Sequence, residues 1–160
     1  YVISKPHCTN PCITSLGGYT TERIFENYFR KYIIKSLYDE NTTYTILKVD
    51  SRDNSKELFI NSFEKGAVSI LDKSLKERDL IVLDELGSSE NDMSLFTDKV
   101  FKLLDTKNSI WGLKESDCDF LNAIIARADV IVLTITEDNR DCILEDILDI
   151  LKSWHKQLEL

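Results

Sequence analysis

Two stretches of unbroken apolar residues stand out from an otherwise mixed chain, Leu80-Ile81-Val82-Leu83 and Val130-Ile131-Val132-Leu133. Short branched runs without polar alternation predict strands buried on both faces, as in a parallel sheet. Each ends in polar residues, the first in Asp84-Glu85-Leu86-Gly87 and the second in Thr136-Glu137-Asp138-Asn139-Arg140-Asp141. Further strands are expected at Tyr1-Val2-Ile3, at 109–113, and after Gly17-Gly18, read as a flexible loop entering a strand. Residues 32–38 and 44–49, joined by the turn-prone Asp39-Glu40-Asn41-Thr42, predict a hairpin. Helical spacing links Phe63, Ala67, Ile70, Leu71 and Ser74, then Leu95, Phe96, Val100 and Leu104, then Phe120, Leu121 and Ile124, then Ile143, Ile147, Ile150 and Trp154. Strands alternating with helices predict an α/β domain with a mainly parallel central sheet and an early antiparallel hairpin.

Composition narrows this picture. With 160 residues, 42% of them hydrophobic and 30% charged, the chain is expected to close one core, so 1–160 reads as a single domain. A net charge of −8 and scattered lysines and arginines argue against nucleic acid or an anionic membrane as partner. No apolar run is long enough to span a bilayer, and no leader pattern opens the chain, so a cytoplasmic location is expected. Cys8, Cys12, Cys118 and Cys142 are expected to be free thiols. His7, Cys8 and Cys12 invite a zinc reading, but no second cysteine or histidine pair follows, and a loop with incidental thiols is preferred.

The candidate chemistry lies at Asp84 and Glu85. Ligands of open α/β sheets bind outside the carboxyl ends of the strands, where an aspartate can hold Mg²⁺ and a glutamate can orient or deprotonate an attacking water. A pair of solvated acids at a strand–loop junction is the alternative. If the two apolar strands are neighbours, Asn139 and Arg140 line the same crevice, with Arg140 as the cation able to meet a phosphate or a base carbonyl. Against this stands a helix N-cap at Asn139 beside a solvated charge at Arg140.

The order of Gly17-Gly18-Tyr19-Thr20-Thr21-Glu22, the Leu83-Asp84-Glu85-Leu86-Gly87 strand end and Val132-Leu133-Thr134 leading to Asn139-Arg140-Asp141 resembles the THEP-type nucleoside-triphosphatases. The likeness covers residues 16–152, with 1–15 as an atypical N-terminal segment. It implies a P-loop NTPase-like three-layer α/β fold that binds a nucleoside triphosphate, ATP or GTP. It also implies a Walker B pair, Asp84 for Mg²⁺ and Glu85 for the catalytic water, with Asn139 and Arg140 near the nucleotide.

One departure stands beside the match. These enzymes carry a Gly-x-x-x-x-Gly-Lys-Ser/Thr loop and a helix that cradle the phosphates, and the 160 residues contain no such run. Each charge-assisted hydrogen bond lost with that loop is worth roughly 1.5–3 kcal/mol. Impaired hydrolysis is therefore expected, and a non-catalytic binding or regulatory module is the alternative. A sheet face left uncovered by the missing helix further suggests self-association or a protein partner.

Overall fold

The computed structural model describes residues 2–4 and 15–156. Its strands are β1 (Val2–Ser4), β2 (Leu16–Glu26), β3 (Phe29–Ser36), β4 (Thr43–Asp50), β5 (Lys56–Leu58), β6 (Leu80–Leu86), β7 (Asn108–Leu113) and β8 (Val130–Val132). They form one sheet in the order β5-β4-β3-β2-β6-β7-β1-β8. Its centre is parallel: Leu16 pairs with Leu80 between β2 and β6, and Leu80 with Asn108 between β6 and β7. The flanks are antiparallel, with β2, β3, β4 and β5 forming a meander on one side and β1 running against both β7 and β8 on the other.

Among the described residues four α-helices cover the two faces: α1 (Val68–Glu77), α2 (Ser94–Thr106), α3 (Asp119–Ile125) and α4 (Ile143–Lys156). Successive residues of β6 point to opposite faces, and the packing follows that alternation. Ile81 and Leu83 face a core shared with Ile70 and Leu71 of α1, Phe96 and Val100 of α2 and Ile124 of α3. Leu80 belongs to a second cluster with Ile110, Leu133 and the α4 residues Ile147, Ile150 and Leu151. The result is the expected three-layer α/β arrangement, with the sheet between α1–α3 and α4. Among the described residues, no helix is long and apolar enough to cross a membrane.

The expected 32–38/44–49 hairpin is the β3–β4 pair, and residues 109–113 fall in β7. Other elements differ for identifiable reasons. Gly17 and Gly18 lie inside β2 rather than in a loop, because the backbone there needs bare glycines. A Cβ on Gly17 would sit 2.7 Å from Ser74 Cβ, and Gly18, at φ +89°, would place one 1.9 Å from the Val82 carbonyl oxygen. The second apolar run yields only the three residues of β8, with Ile131 and Val132 each 45% exposed. Within the described residues β8 bonds only to β1, so it is an edge strand rather than a strand buried on both faces. The predicted helix after Asn61 starts as a π-helical turn, Ser62–Ala67, before regular α1. There a Cβ on Gly66 would meet the Tyr44 ring at 2.7 Å. The segment with His7, Cys8 and Cys12 lies outside the described residues.

Candidate active site

At the end of β6 the ladder breaks its register. Leu83 pairs with Trp111 and Leu86 with Leu113, so Asp84 and Glu85 together face the single residue Gly112. Such a bulge bends the strand and re-aims its side chains. Glu85 takes φ +61°, a left-handed conformation that costs a non-glycine residue about 1–2 kcal/mol. Without the bulge, strict alternation would send one of two consecutive carboxylates toward the helices. With it, Asp84 is half-buried and Glu85 exposed, while Leu83 and Leu86 on either side stay fully buried. Held strain of this kind concentrates at working sites.

Neighbouring strands fix both acids. The backbone N–H of Thr21, in β2, donates to Asp84 Oδ2 at 3.0 Å, and the Thr21 hydroxyl donates to the Asp84 carbonyl at 3.1 Å. On the other side Lys114, just past β7, donates its backbone N–H to the Leu86 carbonyl at 2.7 Å. Its Nζ lies 3.1 Å from Glu85 Oε2, the two side chains being 55% and 42% exposed. At that exposure the ion pair contributes only about 0–1 kcal/mol, which leaves it free to exchange partners. Glu90, almost fully buried, accepts a hydrogen bond from the Gly87 N–H at 2.8 Å and so ties down the chain leaving β6. Burial pushes the Glu90 carboxyl above its usual range, the Gly87 N–H opposing that shift. Burial likewise raises the Tyr19 phenol, with the charges of Glu90 and Asp84 adding to it.

Two spaces meet at these side chains. Outside the carboxyl ends of the strands lies a crevice of about 640 Å³, lined among others by Asp84, Glu85, Lys114, Glu115, Thr134 and Ile135. Its size is that of a small-ligand site, and its position follows the rule for open α/β sheets. Behind it a cavity of about 30 Å³ lies among Tyr19, Thr21, Asp84, Glu85, Glu90 and Lys114, room for about one water with several polar partners.

Asn139 and Arg140 stand apart from this pair. β7 and β1 separate β6 from β8, and neither residue lines the crevice. Asn139 Oδ1 accepts from the Thr136 N–H at 2.8 Å, and its Nδ2 donates to the Thr134 carbonyl at 2.9 Å. It thus braces the loop that supplies Thr134 and Ile135 to the crevice wall, and the Asn139 carbonyl accepts the N–H groups of Cys142 and Ile143 where α4 begins. Arg140 is exposed, its Nε 3.9 Å from Asp141 Oδ1.

Lys114, Thr21 and Glu90 were not singled out from the sequence. Lys114 follows the apolar strand 109–113 just as Asp84 ends its own strand, so the same rule applied to β7 would have found it. Glu90 stands three residues after Gly87, the spacing by which a glutamate reaches back to an N–H.

The donor chemistry here suits a hard divalent cation. Asp84 presents carboxylate oxygen at the crevice with Oδ2 already oriented by Thr21, and among the described residues no group of three or more His, Cys, Asp or Glu side chains could form a closed metal site. One or two carboxylates completed by water and phosphate is the set magnesium takes, whereas a structural zinc site needs four protein ligands.

A family model described as NTPase matches residues 12–148. The chain is 33% identical over 155 residues to Nucleoside-triphosphatase THEP1 of Thermotoga petrophila, covering 94% of this chain and 85% of that protein. It is 30% identical over 144 residues to the protein of the same name from Thermotoga maritima, covering 88% and 83%. No solved structure gives a significant match. A family model spanning most of the chain, and a relative one-third identical over nearly all of it, show that the chain belongs to the NTPase family that includes the THEP1 nucleoside-triphosphatases.

Proposed function

We propose that the crevice outside β6 and β7 binds a magnesium–nucleoside triphosphate, ATP or GTP, and hydrolyses it slowly to the diphosphate and phosphate. The observation that carries this reading is the bulge at Asp84-Glu85, where a strained backbone presents two carboxylates at the mouth of a ligand-sized crevice. Asp84 would hold the magnesium ion. When bound, the ion neutralises charge on the phosphate oxygens. Glu85 accepts a hydrogen bond from a water and takes its proton as the water oxygen bonds to the terminal phosphorus, while the bond from that phosphorus to the bridging oxygen breaks and the diphosphate leaves. Asn139 acts through its loop, by fixing Thr134 and Ile135, and Arg140, exposed outside the crevice lining, makes no contact with the nucleotide in this reading.

Slow turnover is expected of these 160 residues as they stand, because they hold no Gly-x-x-x-x-Gly-Lys-Ser/Thr run to supply oriented amides and a lysine to the phosphates. The pairing of Glu85 with Lys114 supports a second reading, a module that binds nucleotide without hydrolysing it, since a paired carboxylate is not free to hold a water. Titration with Mg–ATP and Mg–GTP, with and without Asp84→Asn, tests the site. Binding that requires both Mg²⁺ and Asp84 is expected. Binding without phosphate release moves the chain to the second reading. A folded protein that binds neither nucleotide refutes both.

A further inference from the structure

We infer that Lys114 is a phosphate-binding cation of this site and that Glu85 holds its ammonium until a nucleotide draws it away; this inference rests on the nucleotide-binding reading above. The crevice exposes Asp84, Glu85 and Glu115, and Lys114 is the only cation among the described residues that line it. A triphosphate approaching three carboxylates is repelled unless a positive charge meets it, and magnesium held at one carboxylate does not balance the other two. Arg140, the cation expected from the sequence, does not line the crevice.

The setting of Lys114 suits this task. Its backbone is fixed by the 2.7 Å hydrogen bond to the Leu86 carbonyl, which ties the end of β7 to the residue after the bulge. Its stem lies across Gly87, where an added Cβ would sit 3.3 Å from Lys114 Cδ and 3.6 Å from its Cβ. The side chain itself is 55% exposed. An ammonium on a flexible stem, with three donors, can leave a half-exposed carboxylate for a phosphate without moving the backbone. The same exchange would release Glu85. Lys114 borders both the crevice and the water-sized cavity beside Glu85, so its transfer to phosphate would free that carboxylate next to the space that can hold a water. Nucleotide binding and the release of the water-orienting group thereby become one event.

The test is a double-mutant cycle read by calorimetric titration with Mg–ATP on the full chain, using Lys114→Gln, Glu85→Gln and the two together. Lys114→Gln is expected to weaken binding about 10-fold or more, the loss of a charge-assisted contact to phosphate. Glu85→Gln is expected to tighten it several-fold by removing the competitor for Lys114, and that gain should shrink below about 2-fold in the Lys114→Gln background, since coupled groups are not additive. Lys114→Arg, which keeps the charge, should bind within a few-fold of wild type, and urea midpoints report whether each variant is folded. Wild-type affinity in folded Lys114→Gln, or a Glu85→Gln gain that persists without Lys114, overturns the inference and leaves the nucleotide site standing. Absence of Mg–ATP and Mg–GTP binding in the wild type overturns the nucleotide reading, and this inference with it.

Discussion

Replacing Glu85 by glycine should leave the protein within about 1 kcal/mol of wild type, and more stable than Glu85→Ala, while removing the carboxylate that the reaction needs. The residue sits at φ +61°, where any side chain costs about 1–2 kcal/mol that glycine does not incur. Glycine gives back part of this gain, about 0.5–1 kcal/mol, through its greater freedom in the unfolded chain. The ion pair with Lys114 is also lost, a term of about 0–1 kcal/mol at this exposure. Glu85→Ala loses the same ion pair but keeps the strained backbone, so comparing the two variants removes that term. The glycine variant should then exceed the alanine variant by about 1 kcal/mol, or about 2–4 °C in melting temperature for a domain of this size. Urea titration followed by tryptophan fluorescence measures the difference, Trp111 being fully buried in the core beside the bulge. Coincident midpoints, or a more stable alanine variant, would show that the left-handed turn is not strained and would remove the backbone argument for a working site.

Three further outcomes follow from the same geometry. Gly18→Ala, with φ +89° and a Cβ 1.9 Å from the Val82 carbonyl, must push β2 from β6 and should cost about 3 kcal/mol or more; a loss under about 1 kcal/mol in urea would contradict that contact. Ser74 accepts the buried Gly18 N–H at 2.9 Å and donates to the Ile70 carbonyl at 2.8 Å, so Ser74→Ala strands an N–H and should cost about 1–3 kcal/mol, whereas an unchanged midpoint would mean that another group satisfies it. Because burial raises the Glu90 carboxyl above its ordinary range, its contribution is fully present at pH below that ordinary range and is lost as pH rises through the raised value; Glu90→Gln should therefore gain stability over wild type as pH rises above the ordinary carboxylate range. A pH-independent difference would mean that Glu90 ionises alike in folded and unfolded chains.

Much of this arrangement is legible in the sequence because it rests on local patterns. The unbroken apolar run Leu80–Leu83 marks a central strand, the acids at its end mark the crevice, and helical spacing locates the four described α-helices to within a few residues. What is not legible depends on which strands become neighbours. The run at Val130 looks as buried as the one at Leu80, yet β1 lies between β8 and β7 and leaves β8 at the edge. Gly17-Gly18 reads as a loop because no local signal shows how closely β6 and α1 approach β2. The bulge is equally hidden, since two residues opposing one is a property of the pair of strands. Asn139 and Arg140 are next to each other in sequence, but only the three-dimensional arrangement separates an asparagine that braces the crevice wall from an arginine at the solvent.

Phosphate release from ATP and GTP in the presence of Mg²⁺, comparing wild type with Glu85→Gln, tests the central claim most directly. Slow release, below about 1 s⁻¹ and so beneath ordinary enzyme turnover, that disappears in the folded Glu85→Gln variant is the predicted result. Release that continues unchanged without the Glu85 carboxylate would contradict it, and would place the chemistry away from the bulge at the end of β6.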